Sequence, residues 1–491
     1  MFAKTIRYAL LAFGVLALSV WSSVAQQTPT LLPESVTSMY AVTEGIGSIP
    51  LSAWENYSLS RFINEARADV ARLALLGVRW YRINSSEYGG FAFSTTQYSG
   101  PDRYSRQDAF VRLLQEKEIQ ILGVIGPWTA YSSCSQPAER PLNAGYLPAN
   151  LAAYREYVKQ TVERYDKDGK DDMLHMKYPV RYWQVDNAVD SRWFDCKEQG
   201  REFATAQEYF TVLKTTYEAI KEADPNAKVL LGLELLSARP EGLKYLQDLL
   251  ALGARQYFDI ANYQDFTYDL DNLVARIAQV RTLTAKPVWV TAASVPSDPR
   301  ANFAWNPALH ARALVKYYMR AVVEAGAEKL FWHSLNQEPA QPDSAQWRKL
   351  GSNGLFECSS PQTDAVLRVA VCAGRDWSPA ARTYFLMTSK IQRVVNASPF
   401  YGFTTIPVGA VVRAYIFDVS VNAALPRRVV VMWSESGKVT VNMGGANLSV
   451  IVTNIIESRD QTDPLISAVN PSQLEVTASP IFIEINRAPE R

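Results

Sequence analysis

Eight short apolar runs, separated by stretches of helical period and recurring at roughly forty-residue intervals, constrain this chain more than any other feature of its sequence. The runs lie at 38–42, 78–84, 119–125, 180–186, 229–235, 259–263, 288–291 and 329–335. The amphipathic stretches lie at 59–76, 108–118, 151–165, 206–223, 241–252, 270–283 and 309–325, and 380–394 closes the series. A strand followed by a helix, eight times over, predicts an α/β chain folded as a (β/α)8 TIM barrel. A doubly wound open sheet is the competing arrangement, but no Gly-rich GxGxxG turn follows the first run.

At 491 residues the chain is longer than one hydrophobic core usually supports. Past about residue 396 the period changes from helical to alternating. Runs at 411–417, 428–433, 438–442, 448–456, 473–476 and 480–485 are separated by Gly, Asn, Asp and Pro clusters, the pattern of a small all-β sandwich. The expected organisation is a barrel over 26–395 and a sandwich over 396–491. No low-complexity linker separates them, so a tight joint is expected.

The first residues have the layout of a secretory signal peptide, 1–25. Lys4 and Arg7 precede an apolar run over 8–20, and Ser23-Val24-Ala25 supplies the small residues of a cleavage site after Ala25. The run is short for a membrane span and no later stretch reaches about 18 uninterrupted apolar residues. A secreted, periplasmic or cell-surface protein without a stable membrane span is expected. A formal net charge of +1, with 20% charged residues, leaves no electrostatic footprint for nucleic acid or an acidic membrane surface. Cys134, Cys196, Cys358 and Cys372 allow two disulfides and three pairings. Cys358 with Cys372 would close a loop after the eighth strand, leaving Cys134 and Cys196 to join two barrel loops. No CxxC occurs, and none of His175, His310 and His333 stands at ligand spacing with a Cys, so neither a metal nor a cofactor is expected.

In such a barrel the chemistry sits at the C-terminal ends of the strands. The fourth strand ends in Tyr182-Trp183-Gln184-Val185-Asp186-Asn187-Ala188, and the seventh in Lys286-Pro287-Val288-Trp289-Val290-Thr291-Ala292. These two phrases resemble those of the clan A glycoside hydrolases, closest to the β-xylosidase and α-L-iduronidase group, whose barrel carries a C-terminal β-sandwich. The resemblance covers about residues 30–490. It implies an acid/base Glu after the Asn of strand four and a nucleophile Glu ending strand seven. Here Ala188 and Ala292 occupy the two places.

The resemblance further implies that Arg82 supports the nucleophile position, that Asn187 hydrogen-bonds a sugar 2-hydroxyl, and that Trp332 forms a sugar platform. Trp128, Asp186, Asn262 and Tyr263 complete the expected glycan-binding set, Trp128 and Trp332 being read as stacking platforms because they fall at or beyond strand ends. Asn262-Tyr263-Gln264 departs from the clan, which often has a His near the Tyr. Trp183, Trp289 and Phe331 are read as packing residues between barrel and helices, and Arg82 has an ion pair with Asp186 or another buried carboxylate as its alternative role.

Without a nucleophile the covalent route closes, and without an acid the departing oxygen goes unprotonated, assistance worth about 10²–10⁴-fold by itself. The expected activity is therefore binding of an oligo- or polysaccharide without ordinary retaining hydrolysis, which needs two carboxyls about 5–5.5 Å apart. Two other readings stay open: hydrolysis by displaced acids such as Asp186, Asp190, Glu234 or Asp265, with Glu87 and Glu338 as further strand-end carboxylates, and a structural exported protein without glycan affinity. Whether the two alanines are natural or were introduced into a working enzyme is open at this point too.

Overall fold

The computed structural model describes residues 37–46, 56–85, 87–93, 104–127, 147–148, 150–190, 204–235, 240–295, 306–339, 353–420, 426–445 and 449–485. The expected signal peptide, Trp128, Cys134 and Cys196 lie outside the described residues. Eight strands, β1 (Tyr40–Thr43), β2 (Trp80–Ile83), β3 (Gln120–Gly126), β4 (Tyr182–Val185), β5 (Lys228–Leu230), β6 (Ala261–Asp265), β7 (Val288–Ala293) and β8 (Lys329–His333), alternate with eight helices. The helices are α1 (Leu59–Leu75), α2 (Ser105–Glu116), α3 (Leu151–Tyr165), α4 (Ala206–Ala223), α5 (Pro240–Ala251), α6 (Leu270–Thr284), α7 (Pro307–Tyr318), continued by a π-helical turn at Met319–Glu324, and α8 (Pro379–Lys390).

All strand pairings in the barrel are parallel, in the order β5-β4-β3-β2-β1-β8-β7-β6. A parallel bridge between Leu230 and Ile260 brings β5 to β6 and closes the ring. Six of the helices begin at short polar residues that the backbone leaves in an extended conformation. Ser58, Asn150, Thr205, Asp269, Asn306 and Ser378 each accept a hydrogen bond from the backbone N–H three residues on, satisfying a donor with no partner inside the helix. Pro307 and Pro379 stand at the starts of α7 and α8, where a missing N–H costs nothing.

Between β8 and α8 two small antiparallel pairs, Phe356–Cys358 with Arg375–Trp377 and Pro361–Thr363 with Ala370–Cys372, form an excursion tied by the Cys358–Cys372 disulfide. The helical stretch expected to reach residue 394 stops at Lys390. Arg393 takes a left-handed φ of 53°, which no helix continues, and Val394 opens the first strand of the C-terminal domain.

That domain is a sandwich of a six-stranded antiparallel sheet on a three-stranded one (Thr404–Ile406, Val439–Asn442, Leu474–Val476). In the larger sheet Val394–Pro399, Val412–Ser420, Pro426–Ser434, Ile481–Ile485, Val450–Asn454 and Ile466–Val469 lie side by side in that order. Its central strands read as unbroken apolar runs because both faces are covered. Ala414, Val430, Met432, Ile481 and Ile483 face the smaller sheet, whereas Tyr415, Phe417, Val419, Val429, Val431, Trp433 and Phe482 merge with the core of the barrel. Polar contacts reinforce that joint: Arg312 of α7 donates twice to Glu457 (2.6 and 2.9 Å), and Thr383 of α8 exchanges hydrogen bonds with the backbone of Ile456.

Candidate active site

One residue from each strand position fills the lower barrel: Ala41, Trp80, Leu122, Tyr182, Leu230, Ile260, Trp289 and Phe331. Trp289 and Phe331 thus sit inside the barrel, whereas Trp183 packs outside it against Phe91, with ring centroids 5.2 Å apart. Side chains alternate along a strand, so the next inward position is two residues on. That layer is polar. Arg82 is fully buried in it and donates from Nε to Gln184 Oε1 (2.9 Å), from Nη1 to Thr43 Oγ1 (3.0 Å) and from Nη2 to Asn187 Oδ1 (2.6 Å). Of the alternative partners, Asp186 or another buried carboxylate, the ion pair is made with Glu44, at 3.6 Å.

After β4 the chain leaves the strand conformation. Asp186 and Ala188 both adopt left-handed φ, 62° and 53°, and Asp186 Oδ1 accepts from the Asn187 backbone N–H at 2.8 Å. Asp186 was expected as the last residue of a strand; the left-handed turn replaces that geometry. Gly232 makes room for the turn, since a Cβ there would lie 2.1 Å from the Val185 carbonyl oxygen. Asn187 is the result: its Oδ1 accepts from Arg82 and also from Gln264 Nε2 (2.7 Å) on β6, while its Nδ2 has no partner among the described residues. Ala188 follows it, and Ala292 lies on β7 in register with Gln264 after an irregularity in the β6–β7 ladder. Both alanines are 2% exposed.

The remaining expected positions divide by face. Asn262 points into the barrel, but its amide is used across strands: Oδ1 accepts from Leu233 N–H, and Nδ2 donates to the Leu233 carbonyl and to Thr291 Oγ1. Tyr263 is fully buried and donates to Asp265 Oδ2 (2.6 Å), and Tyr317 donates to Asp265 Oδ1 (2.7 Å). Trp332 is fully buried in the layer between β8 and α7, 5.4 Å from the His310 ring and 6.0 Å from that of Tyr317. A platform for sugar is not what that environment provides, because alternation turns Leu330 and Trp332 outward while Lys329, Phe331 and His333 point inward.

Among the carboxylates proposed as displaced acids, Asp190 and Asp265 act as backbone and side-chain staples. Asp190 accepts from the N–H groups of Glu234 (2.7 Å) and Leu235 (2.8 Å), and burial pushes its carboxyl up to about 6. Asp265 accepts two tyrosine hydroxyls and the Thr267 N–H. Glu234 is half-buried just past β5. Glu87 is enclosed below the loop after β2, accepting from Tyr81 Oη (2.5 Å) and from the backbone of Asn84 and Ile46; burial above all raises its carboxyl to about 8.

Two mouth residues escaped the sequence reading. Glu44, with a left-handed φ of 60°, turns its carboxylate over the end of β1. There it meets Asn84 Nδ2 (2.6 Å), Arg82 and His333 Nε2 (3.4 Å). Burial pushes that carboxyl up, but the His333 ring, Arg82 and Asn84 together outweigh it and hold it down at about 2. Glu44 and His333 line a polar cavity of about 320 Å³ that extends from the mouth toward α1 and the disulfide-tied excursion. Glu338, also read as a strand-end acid, lines the same cavity.

Among the described residues one acidic group, Asp166, Asp168 and Asp172, has carboxylate oxygens within 4.8 Å of one another. It follows the C-terminal end of α3, away from the mouth, and its oxygens cap the loop's own N–H groups. The mouth itself offers a hydrogen-bonding frame without a carboxylate at either of the paired strand-end positions.

No protein-family model matches the sequence, and no curated protein matches it. Solved structures do match its fold. A family 39 glycoside hydrolase from the gut symbiont Bacteroides cellulosilyticus WH2 superposes with a TM-score of 0.57 at 13% identity, covering 92% of this chain and 82% of that one. A family 39 β-xylosidase from Caulobacter crescentus gives 0.55 at 14% identity, over 92% and 97%. A conserved exported protein from Bacteroides fragilis gives 0.57 at 11%, over 91% and 97%. Barrel and sandwich are both spanned by these superpositions, so the chain has the fold of the clan A glycoside hydrolases, a (β/α)8 barrel followed by a β-sandwich.

Proposed function

We propose that this chain is a secreted glycosidase-fold protein that binds an oligo- or polysaccharide at the barrel mouth and does not carry out ordinary retaining hydrolysis. The observation behind the reading is the coexistence of an assembled polar frame, Arg82–Asn187–Gln264 with Gln184 beneath it, and methyl groups at Ala188 and Ala292. An amide whose oxygen is held by two donors presents its NH₂ to a ligand hydroxyl in one orientation, which is the preorganisation that binding needs. General acid/base and nucleophilic catalysis need carboxylates that these two positions lack. Asn187 and Gln264 are the proposed sugar contacts, with Arg82 holding Asn187 and Asp186 shaping the turn. Asn262 serves the strand ends, and Trp332 is not used.

Titration calorimetry of the mature chain against soluble xylan, arabinan, glucan and mannan tests it. Binding that disappears in Asn187→Ala, while a melting temperature close to that of the parent is kept, is the expected result. Absence of heat with any glycan would leave the structural exported protein as the better account.

A further inference from the structure

The polar cavity of about 320 Å³ lined by Glu44 and His333 adjoins the Arg82–Asn187 frame, because Arg82 gives Nη2 to Asn187 and sets Nη1 3.6 Å from Glu44. Its wall on the side of the excursion between β8 and α8 is held in place. The Cys358–Cys372 disulfide closes that excursion, the Cys358 N–H donates to Gln337 Oε1 (3.1 Å), and Arg375 Nη1 donates to the Gln337 carbonyl (2.8 Å). Gln337, Cys372 and Arg375 all line the cavity, so its shape is set before a ligand arrives.

Two wall residues carry unmet hydrogen-bonding capacity. His333, 8% exposed, turns Nε2 to Glu44 and keeps Nδ1 without a partner among the described residues. Asn336, 3% exposed, spends Nδ2 on the Gly45 carbonyl (2.8 Å) and keeps Oδ1 without one. Polar atoms left this way inside a protein are costly and uncommon, and on the residues of a cavity wall they point to a ligand's polar groups.

The charges on the wall offset one another. Arg61 is held by Glu65 (2.8 Å) and Asp364 (2.7 Å), Arg72 by Asp69 (2.5 Å), and Glu44 by Arg82 and His333. Arg375 and Glu338, the two charged wall residues that remain, are opposite in sign. A charged ligand finds no surplus of either sign there, whereas a neutral one rich in hydroxyls finds donors and acceptors side by side. The volume lies near the lower end of the range for small-molecule pockets, about 300–1,000 Å³, which suits one sugar ring and not a run of chain.

We propose that this cavity is a side pocket for a single neutral, terminal sugar residue, belonging either to a side branch or to the chain end of the glycan held at the mouth. The inference rests on the mouth binding a glycan, as proposed above.

The test fills the pocket from its rim. Ala373 lines the cavity from the excursion and is exposed, and its backbone N–H bond to the Ser360 carbonyl does not depend on its side chain. Titration calorimetry compares the parent chain with Ala373→Trp and with the volume-keeping Ala373→Ser on mannan, galactomannan and mannohexaose, and on xylan, arabinoxylan and xylohexaose. With unchanged melting temperatures, Ala373→Trp is expected to lose at least tenfold in affinity for the branched polymer, if a branch enters, or for the hexaose, if a chain end does. Its affinity for the long unbranched polymer, and every affinity of Ala373→Ser, should match the parent. Ala373→Trp that binds all ligands as the parent does, or that weakens all of them alike, overturns the pocket while leaving binding at the mouth intact. A parent chain that binds none of them removes the mouth reading, and the pocket with it.

Discussion

Arg82 donates from Nη2 to Asn187 Oδ1 across 2.6 Å, so a guanidinium buried on β2 orients the amide that follows β4. On the proposed function the arrangement would join stability to binding, because the same cation is shared among β1, β4 and the turn after it. Replacing Arg82 with Met removes the cation beside Glu44 and one of the two donors to Asn187 Oδ1, leaving Asn84 and Gln264 as their remaining partners. Breaking a buried pair from one side typically costs about 3–5 kcal/mol. Urea unfolding of Arg82→Met should show a loss of that size, and glycan affinity should fall at least tenfold.

Two glutamates give opposite pH dependences. The folded state holds Glu44 near 2, below the ordinary glutamate value, so its contribution is complete above about pH 4.5 and is lost as pH falls toward 2. Glu87 is raised to about 8, so the folded state keeps a proton that the unfolded chain releases. Its contribution is complete below about pH 4.5 and declines as pH rises through 8. Unfolding free energies measured from acid to mildly alkaline pH should therefore show Glu44→Gln removing part of the acid-side slope and Glu87→Gln removing part of the alkaline-side slope.

Asp190 and Asp265 are positioning groups within the scaffold. Asp190→Ala removes the acceptor of the Glu234 and Leu235 N–H groups, and Asp265→Ala removes the acceptor of the Tyr263 and Tyr317 hydroxyls. Each unsatisfied buried group costs roughly 1–3 kcal/mol. Thermal unfolding should register both variants as destabilised. Turnover from the parent chain that vanished in either variant at retained folding would assign that carboxylate to catalysis instead.

The joint between the domains should behave as core. Trp433 is fully buried and stacks on Tyr415 at 5.5 Å, on the sheet face that merges with the barrel. Trp433→Ala should cost about 3–5 kcal/mol. Calorimetry should show one cooperative transition for the parent, with barrel and sandwich melting together.

The barrel was legible in the sequence because strand and helix periods alternate without interruption; α3 and α4 have the bounds that their apolar spacing predicts. The short strands Thr404–Ile406 and Ile466–Val469 were not, since exposed three- and four-residue segments carry little pattern. At the site, the phrase ending in Asn187 located the residue that the frame orients. Trp332 was placed on the mouth because an aromatic near a strand end was weighed without its parity. Phe331, read as packing between barrel and helices, instead fills the barrel interior, and with that parity His333 turns inward and Trp332 lies in the helix layer. Glu44 had no sequence signal, because a left-handed φ just past a strand aims its side chain and neither composition nor alternation reports that.

The most direct measurement is reducing-sugar release from plant, bacterial and algal polysaccharides by the parent chain and by its Ala188→Glu/Ala292→Glu double replacement, side by side. An inert parent and a double replacement that hydrolyses at least one polysaccharide is the result predicted for a glycosidase barrel that keeps its binding frame and lacks its two carboxylates. Turnover by the parent chain would contradict that account and place the catalytic acids elsewhere in the mouth.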